Sequence, residues 1–171
     1  MRGAGALQRK RCFEPVVDER TRLIVLGSLP GEKSLERQQY YGHRQNQFWK
    51  LMSKVVDHDL VPLDYGSRLK ILLAHEVGLW DVIAEANRHG SLDGNIRNRE
   101  HNDLNDLLRR YPSVKAIAFN GKTAHRVGLK ILGGDATRYR IVELPSSSPA
   151  YTLAEAEKAR RWRVLRKHLG H

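Results

Sequence analysis

Four short apolar runs punctuate the chain, and each is closed by a turn former or a polar residue. The first, Leu23-Ile24-Val25-Leu26, ends at Gly27-Ser28-Leu29-Pro30-Gly31. A continuous apolar run of this length, closed by Gly and Pro, predicts a strand buried on both faces, as in a parallel sheet. Val77-Gly78-Leu79-Trp80-Asp81-Val82 predicts a second strand, residues 114–119 a third and residues 140–144 a fourth. Between them the period changes. Apolar residues at 48, 51, 52, 55 and 56 have helical spacing and predict a helix over 47–56, with another over 67–75. Leu104, Leu107 and Leu108 mark a helix that Pro112 stops, with Asn102 as its expected cap. Residues 121–132 predict a helix ending at Gly133-Gly134, and Thr152 with Glu155 has the spacing of a capping box for a final helix reaching about Leu169. Residues 87–102, rich in Arg, Asn, Gly and His, predict a long surface loop. Residues 1–12 predict a mobile basic leader ahead of a single domain over 13–171. Strands separated by helices pair in parallel through right-handed crossovers, so the expected architecture is a three-layer α/β/α domain around a central four-stranded parallel sheet.

Composition narrows the function. A hydrophobic fraction of 40% in 171 residues suits one folded core. No apolar stretch approaches the ~18 to 20 residues of a membrane span, and no apolar run follows the basic N-terminus as a secretory signal requires. The expected setting is therefore the cytoplasm, or association with the nucleoid. Lys and Arg number 30 against 19 Asp and Glu, a net charge of +11, which makes nucleic acid the default partner. Cys12 is the only cysteine, which excludes an internal disulfide, a Cys-based zinc site and a four-Cys iron–sulfur cluster. The eight histidines lack HExxH or other close ligand spacing, so neither a metal nor a cofactor is expected.

In an open α/β sheet, ligands bind beyond the carboxyl ends of the strands. Four such ends are legible: residues 27–31, Asp81, Asn120-Gly121-Lys122 and Pro145-Ser146-Ser147-Ser148-Pro149. The first loop continues into Gln38-Gln39-Tyr40-Tyr41-Gly42-His43-Arg44-Gln45-Asn46-Gln47-Phe48-Trp49. An aromatic pair in a basic protein suits stacking on an unpaired base. The same tyrosines also read as core, and Asn46 as a helix cap. The serine run reads as a turn, or as a phosphate clamp built from hydroxyls and free helix N–H groups. Residues 27–31 lack the Gly-Lys-Ser/Thr ending of a Walker loop, and no GxGxxG occurs. The final helix carries Lys158, Arg160, Arg161, Arg163, Arg166 and Lys167, which form a solvated face or a second grip on phosphates.

The run GSLPGEKSLERQQYYGHRQNQFW resembles the first motif of the uracil-DNA glycosylase superfamily, and most closely its hypoxanthine-DNA glycosylase branch. That branch has a Gly-Ser-x-Pro loop followed by Ser-Leu, Gln-Tyr-Tyr and Asn-x-Phe-Trp. The similarity continues through residues 79–82, 90–93, 119–124 and 144–150, and spans roughly Pro15 to the C-terminus. The resemblance implies a four-stranded parallel sheet between helices. It also implies a monofunctional DNA glycosylase for base excision repair, taking hypoxanthine first among deaminated bases and leaving an abasic site.

Asn46 matches the branch's catalytic asparagine, expected to orient water through its carbonyl. Tyr41 falls where mismatch-specific uracil glycosylases carry the aromatic that stacks on a flipped base, and Asp81 near their base-reading asparagine. With them Gly27, Ser28, Leu29 and Asn120 form the expected base-binding set. Pro30, Gly31, Lys122, Ser146, Ser147, Ser148, Lys158 and Arg161 form the expected DNA-binding set. Three positions depart from the uracil branches. Leu29 replaces a water-activating Asp or Asn, Leu144 replaces a histidine, and Arg44 replaces a proline. The first two weigh against uracil. The expected partner is DNA containing deaminated bases, bound by a monomer with no membrane association. The alternatives are a uracil or broad deaminated-base glycosylase, and a non-catalytic DNA-binding module of the same fold.

Overall fold

In the computed structural model, residues 8–11, 13–29, 32–88 and 97–169 are described. The order is β1 (Gln8–Arg11), β2 (Leu23–Gly27), α1 (Glu32–Arg37), α2 (Phe48–Val56), α3 (Tyr65–Ala74), β3 (Val77–Asp81), β4 (Ile83–Arg88), β5 (Arg97–His101) and α4 (Leu104–Arg110). β6 (Ala116–Asn120), α5 (Lys122–Leu132), β7 (Arg140–Leu144) and α6 (Glu155–Trp162) follow. The four apolar runs are β2, β3, β6 and β7, and they form one all-parallel sheet in the order β3-β2-β6-β7. Val25 sits beside Leu79 on one side and Ala118 on the other, and Ala118 beside Val142.

Strand alternation sends side chains to two cores. Leu23, Val25, Leu79 and Ala118 pack with Phe48, Met52, Leu72 and Trp162 on the face covered by α2, α3 and α6. Ile24, Leu26, Ile117 and Phe119 pack with Leu104, Leu107, Ala124 and Val127 on the face covered by α4 and α5. This is the expected three-layer α/β/α fold. Central strands buried on both sides need apolar residues at every position, which is why these runs do not alternate with polar residues. α2 buries Phe48, Trp49, Leu51, Met52, Val55 and Val56, a stripe that stabilises the domain by about 1.5–3 kcal/mol per fully buried side chain.

Elsewhere the structure departs from the sequence pattern. Of the expected loop over 87–102, the described residues contribute to a hairpin, and β1-β4-β5 form a second, antiparallel sheet. Residues 8–11 of the expected leader pair with β4, Gln8 opposite Arg88 and Arg11 opposite Glu85. Residues 1–7, 12 and 89–96 lie outside the described residues. β1 and β5 are polar throughout and β4 offers only Ile83 and two alanines, so no sustained apolar periodicity announced them. Asn102 does not cap α4: Asp103 does, accepting from the Asp106 N–H at 3.0 Å. The Thr152–Glu155 box does not form either, since α6 starts after Ala154 without a side-chain cap. α6 ends at Trp162, and residues 163–168 continue as a 3-10 turn.

Candidate active site

The carboxyl ends of the four parallel strands open into a cleft of about 770 Å³. At the end of β2, Gly27 is buried because its neighbours leave no room for a side chain. A Cβ there would lie 2.8 Å from Asp81 Oδ1 and 3.0 Å from the Tyr41 hydroxyl. The missing side chain thus lets the β3 carboxylate and the loop phenol converge. Asp81 is 4% exposed, and its backbone carbonyl accepts from Asn102 Nδ2 at 2.6 Å, which ties β3 to the segment before α4. Ser28 and Leu29 line the same wall. Pro30 and Gly31 lie outside the described residues.

The two adjacent tyrosines divide the roles that the sequence left open. Tyr40 is core: it is buried, its hydroxyl donates to the Glu14 carbonyl at 2.8 Å, and its N–H donates to the Tyr65 hydroxyl. Burial is the main effect on the Tyr65 phenol and pushes it above the usual tyrosine value. Tyr41, with φ at +55°, is only partly buried and lines the cleft, whose wall Tyr40 also reaches. Its ring stacks on Phe48 with centroids 3.8 Å apart and planes 18° from parallel, so one face is covered by the first residue of α2.

Asn46 is a cleft residue and not the cap of α2, which is Gln47, a residue without a side-chain cap bond. Its Oδ1 accepts from the Phe48 N–H at 3.0 Å and from the Ser147 hydroxyl at 2.8 Å. An amide oxygen has two lone pairs, and both are taken. The expectation that this carbonyl orients water is therefore corrected: the oxygen faces the protein. Ser147 in turn is joined to Asn120 twice, its N–H donating to Asn120 Oδ1 and its Oγ accepting from Asn120 Nδ2, each at 2.9 Å. The Ser147 carbonyl accepts from the Gln47 N–H at 3.0 Å.

The expected phosphate grip is only partly formed by outward-facing groups. Ser147 is 1% exposed with its hydroxyl committed, and so it is not a free phosphate ligand. Ser146 and Ser148 are half-buried cleft residues whose hydroxyls accept from the backbone N–H two residues on, at 3.1 and 3.2 Å. Lys158, expected on a solvated face, is fully buried. Its ammonium donates to the Ser148 carbonyl at 3.2 Å and lies 5.3 Å over the Tyr151 ring. Burial holds it below the usual lysine value. Trp162 Nε1 donates to the Pro145 carbonyl at 2.9 Å, so α6 holds the serine loop at both ends. Arg161 does reach the cleft, half-exposed and 3.1 Å from Glu157 Oε1. Lys122, the first residue of α5, is exposed at the cleft rim.

Ser34, His43, Glu143 and Tyr151 also line the cleft and were not in the expected set. Ser34 Oγ accepts from the Gly42 N–H at 2.8 Å, and His43 Nδ1 accepts from the Gln45 N–H at 3.0 Å. Both shape the turn between Tyr41 and Asn46, and no spacing rule marks them. Among the described residues, no group of three or more His, Cys, Asp or Glu is arranged to hold a metal, and no helix is long and apolar enough to cross a membrane.

A family model described as the uracil DNA glycosylase superfamily matches residues 14–167. The chain belongs to this superfamily. It is 36% identical over 159 residues to a Methanosarcina acetivorans protein named hypoxanthine DNA glycosylase, covering 93% of this chain and 99% of that one. A Methanosarcina barkeri protein of the same name is 41% identical over 114 residues, 67% of this chain and 72% of the relative. A solution NMR structure from Methanosarcina acetivorans, described there as a candidate uracil DNA glycosylase, superposes with a TM-score of 0.84 at 36% identity. The match covers 96% of this chain and all of that one. As a superfamily member, this chain carries buried leucines at 29 and 144, both on the cleft wall.

Proposed function

We propose that this superfamily member is a monofunctional DNA glycosylase that hydrolyses the N-glycosidic bond of deaminated bases, hypoxanthine foremost, in base excision repair. The observation that carries the reading is the convergence of Tyr41, Asp81 and Asn46 on one cleft. Asp81 and Tyr41 meet over Gly27, while Tyr41 and Asn46 both engage the first residue of α2. The names of the two Methanosarcina relatives support the choice of base.

The atom to be attacked is inaccessible in stacked DNA, so the nucleotide must be flipped out at a cost of about a few kcal/mol, less for a mismatched base. Stacking of the flipped base on the Tyr41 ring, which Phe48 backs, is worth about 1–3 kcal/mol and offsets much of that cost. The Asp81 carboxylate accepts from hypoxanthine N1–H. Cleavage sends the C1′–N electron pair to the base, and the oxygen of water then bonds to C1′. An amide cannot serve as a conventional general base near neutrality, so Asn46 contributes position and a fixed dipole. Leu29 and Leu144 leave an apolar wall that does not activate water or stabilise a uracil anion, and this favours the hypoxanthine reading over uracil. Lys122 and Arg161 at the rim meet phosphates. The enzyme acts as a monomer on nucleoid DNA in the cytoplasm.

The test is intact base release from oligonucleotides carrying inosine, uracil or xanthine, by wild-type protein and Asn46→Ala. Inosine excision by wild type, lost in Asn46→Ala with DNA binding retained, supports the reading. Wild-type rates from Asn46→Ala reduce Asn46 to a structural residue of the turn into α2. No release from any substrate returns the chain to a DNA-binding module.

A further inference from the structure

We propose that Ser147 and Asn120 are positioning residues that hold the Asn46 amide oxygen inward and present its NH2 group, a hydrogen-bond donor, to the cleft. The inference rests on the reading of Asn46 as the catalytic group and goes beyond it by assigning the polarity of that group.

The Ser147 N–H can only donate, and it meets Asn120 Oδ1 at 2.9 Å. That fixes the Asn120 amide and points its Nδ2 at Ser147 Oγ, again at 2.9 Å. Nδ2 also only donates, so the hydroxyl oxygen gives a lone pair there. Its single proton is left for Asn46 Oδ1, 2.8 Å away. A second obligatory donor, the Phe48 N–H, meets the same oxygen at 3.0 Å. Rotating the Asn46 amide by half a turn would set an NH2 group against two donors. Ser147 is 1% exposed and Asn120 8%, so bulk water does not replace a lost partner.

The chain of bonds therefore has one direction: Asn120 N–H to Ser147 oxygen, Ser147 O–H to Asn46 oxygen. Among the described residues, Asn46 Nδ2 takes no acceptor, and Asn46 lines the cleft. In N-glycosidic hydrolysis the bond between C1′ and the base nitrogen breaks and its electron pair goes to the base. Water forms the new bond to C1′, and its proton ends on the base or in solvent. An N–H donor fixed in the cleft before reaction favours the acceptor whose negative charge grows, which is the leaving base. Asn46 moves no proton in this step.

Three variants test the assignment by single-turnover excision of inosine, with binding to damaged and undamaged duplexes measured in parallel. In Asn46→Asp, the two inward donors hold one carboxylate oxygen and the other meets the cleft as an acceptor. The expected rate is about 10²-fold below wild type at neutral pH. It rises as pH falls and the carboxyl is protonated, because the protonated oxygen donates again. Asn120→Asp keeps the shape but adds a second acceptor beside Ser147, drawing the hydroxyl proton away from Asn46. The expected rate is about 10-fold lower, with the same recovery at low pH. Ser147→Ala is expected to slow excision about 10- to 100-fold and leave affinity and salt dependence unchanged. Melting curves check that each variant folds, and a purely structural role would give no pH recovery.

Near-wild-type excision by Asn46→Asp at neutral pH would overturn the donor assignment. A shallower salt dependence in Ser147→Ala would return that hydroxyl to phosphate binding. Wild-type excision by Asn46→Ala would instead sink the underlying reading of the site, whatever the other variants do.

Discussion

Replacing Gly128 with Ala sets two effects of opposite sign against each other, and the structure decides the winner. Gly128 is buried in the middle of α5, where Ala is the better helix former by about 1 kcal/mol. On that ground alone the variant would be more stable. A Cβ at 128, however, would lie 2.1 Å from Phe119 Cε1, 2.7 Å from Cζ and 3.0 Å from Cδ1. Carbon atoms pack best at about 3.5–4.0 Å, so the ring or the helix must move by about 1.4 Å. Phe119 is fully buried in β6, with the His125 ring against it at 5.5 Å, and has no open side to move into. Overpacking of this kind costs about 1–3 kcal/mol, and a displacement this large belongs at the upper end. The net expectation is a loss of about 2 kcal/mol, or about 4–8 °C in Tm for a chain of this size. Urea denaturation of wild type, Gly128→Ala, Phe119→Leu and the double variant measures it. The smaller ring site should make the double variant more stable than the sum of the singles by about 1 kcal/mol. Excision should also fall in Gly128→Ala, because Phe119 precedes Asn120 in the strand that carries the Ser147 contact. A Gly128→Ala protein as stable as wild type would show that α5 does not lie this close to β6.

Tyr41→Leu should weaken binding to inosine duplexes about 5- to 150-fold and leave undamaged DNA unaffected, as read by fluorescence anisotropy, since stacking counts only once a base is extruded. Equal losses on both duplexes would place the ring outside the base pocket. Arg161→Ala and Lys122→Ala should each lower the salt slope of DNA binding by about 0.9, while Lys158→Met should leave it unchanged and lower thermal stability, because the Lys158 ammonium is committed to the Ser148 carbonyl. A flatter slope in Lys158→Met would put that charge back on phosphate. Hydrogen bonds from Arg160 and Arg161 hold the Glu157 carboxyl at about 2, down from an ordinary 4.5. A depressed carboxylate stabilises the fold above its unfolded value and loses that contribution as pH falls through the folded one. Glu157→Gln should therefore melt slightly below wild type at neutral pH, and the difference should close between pH 4.5 and 2 in thermal melts at low salt.

The parallel sheet and the position of the cleft were legible in the sequence for a local reason. A strand buried on both faces has to be apolar at each position, and a chain leaving it has to turn, so 23–26 and 116–119 carry their own signature together with the Gly, Pro and Asn that close them. Once those runs are strands, their carboxyl ends coincide, and Gly27, Asp81, Asn120 and the serine loop necessarily share one edge of the sheet. α2 was equally plain, because six buried residues in nine leave an unambiguous helical stripe. The β1-β4-β5 sheet was not legible. β1 and β5 are polar, β4 has Ile83 as its one large apolar residue, and β1 pairs with a segment more than seventy residues away, a match made through backbone groups that every residue possesses.

The site divides along the same line. That Tyr41, Asp81 and Asn46 belong together followed from motif and strand order, but which atoms are free to act did not. Tyr40 and Tyr41 are indistinguishable in the sequence, and only the fold buries Tyr40 with its hydroxyl on the Glu14 carbonyl and leaves Tyr41 partly buried in the cleft, stacked on Phe48. Lys158 reads as one charge in a basic helix until the serine loop brings the Ser148 carbonyl to its ammonium. Ser147 has the same chemistry as Ser146 and Ser148, yet it alone meets Asn46 and Asn120, 101 and 27 residues away. Apolar burial is written position by position because it depends on each side chain's own surface. A hydrogen bond depends on the partner as much as on the donor, and partners distant along the chain exist only once the fold has brought them together.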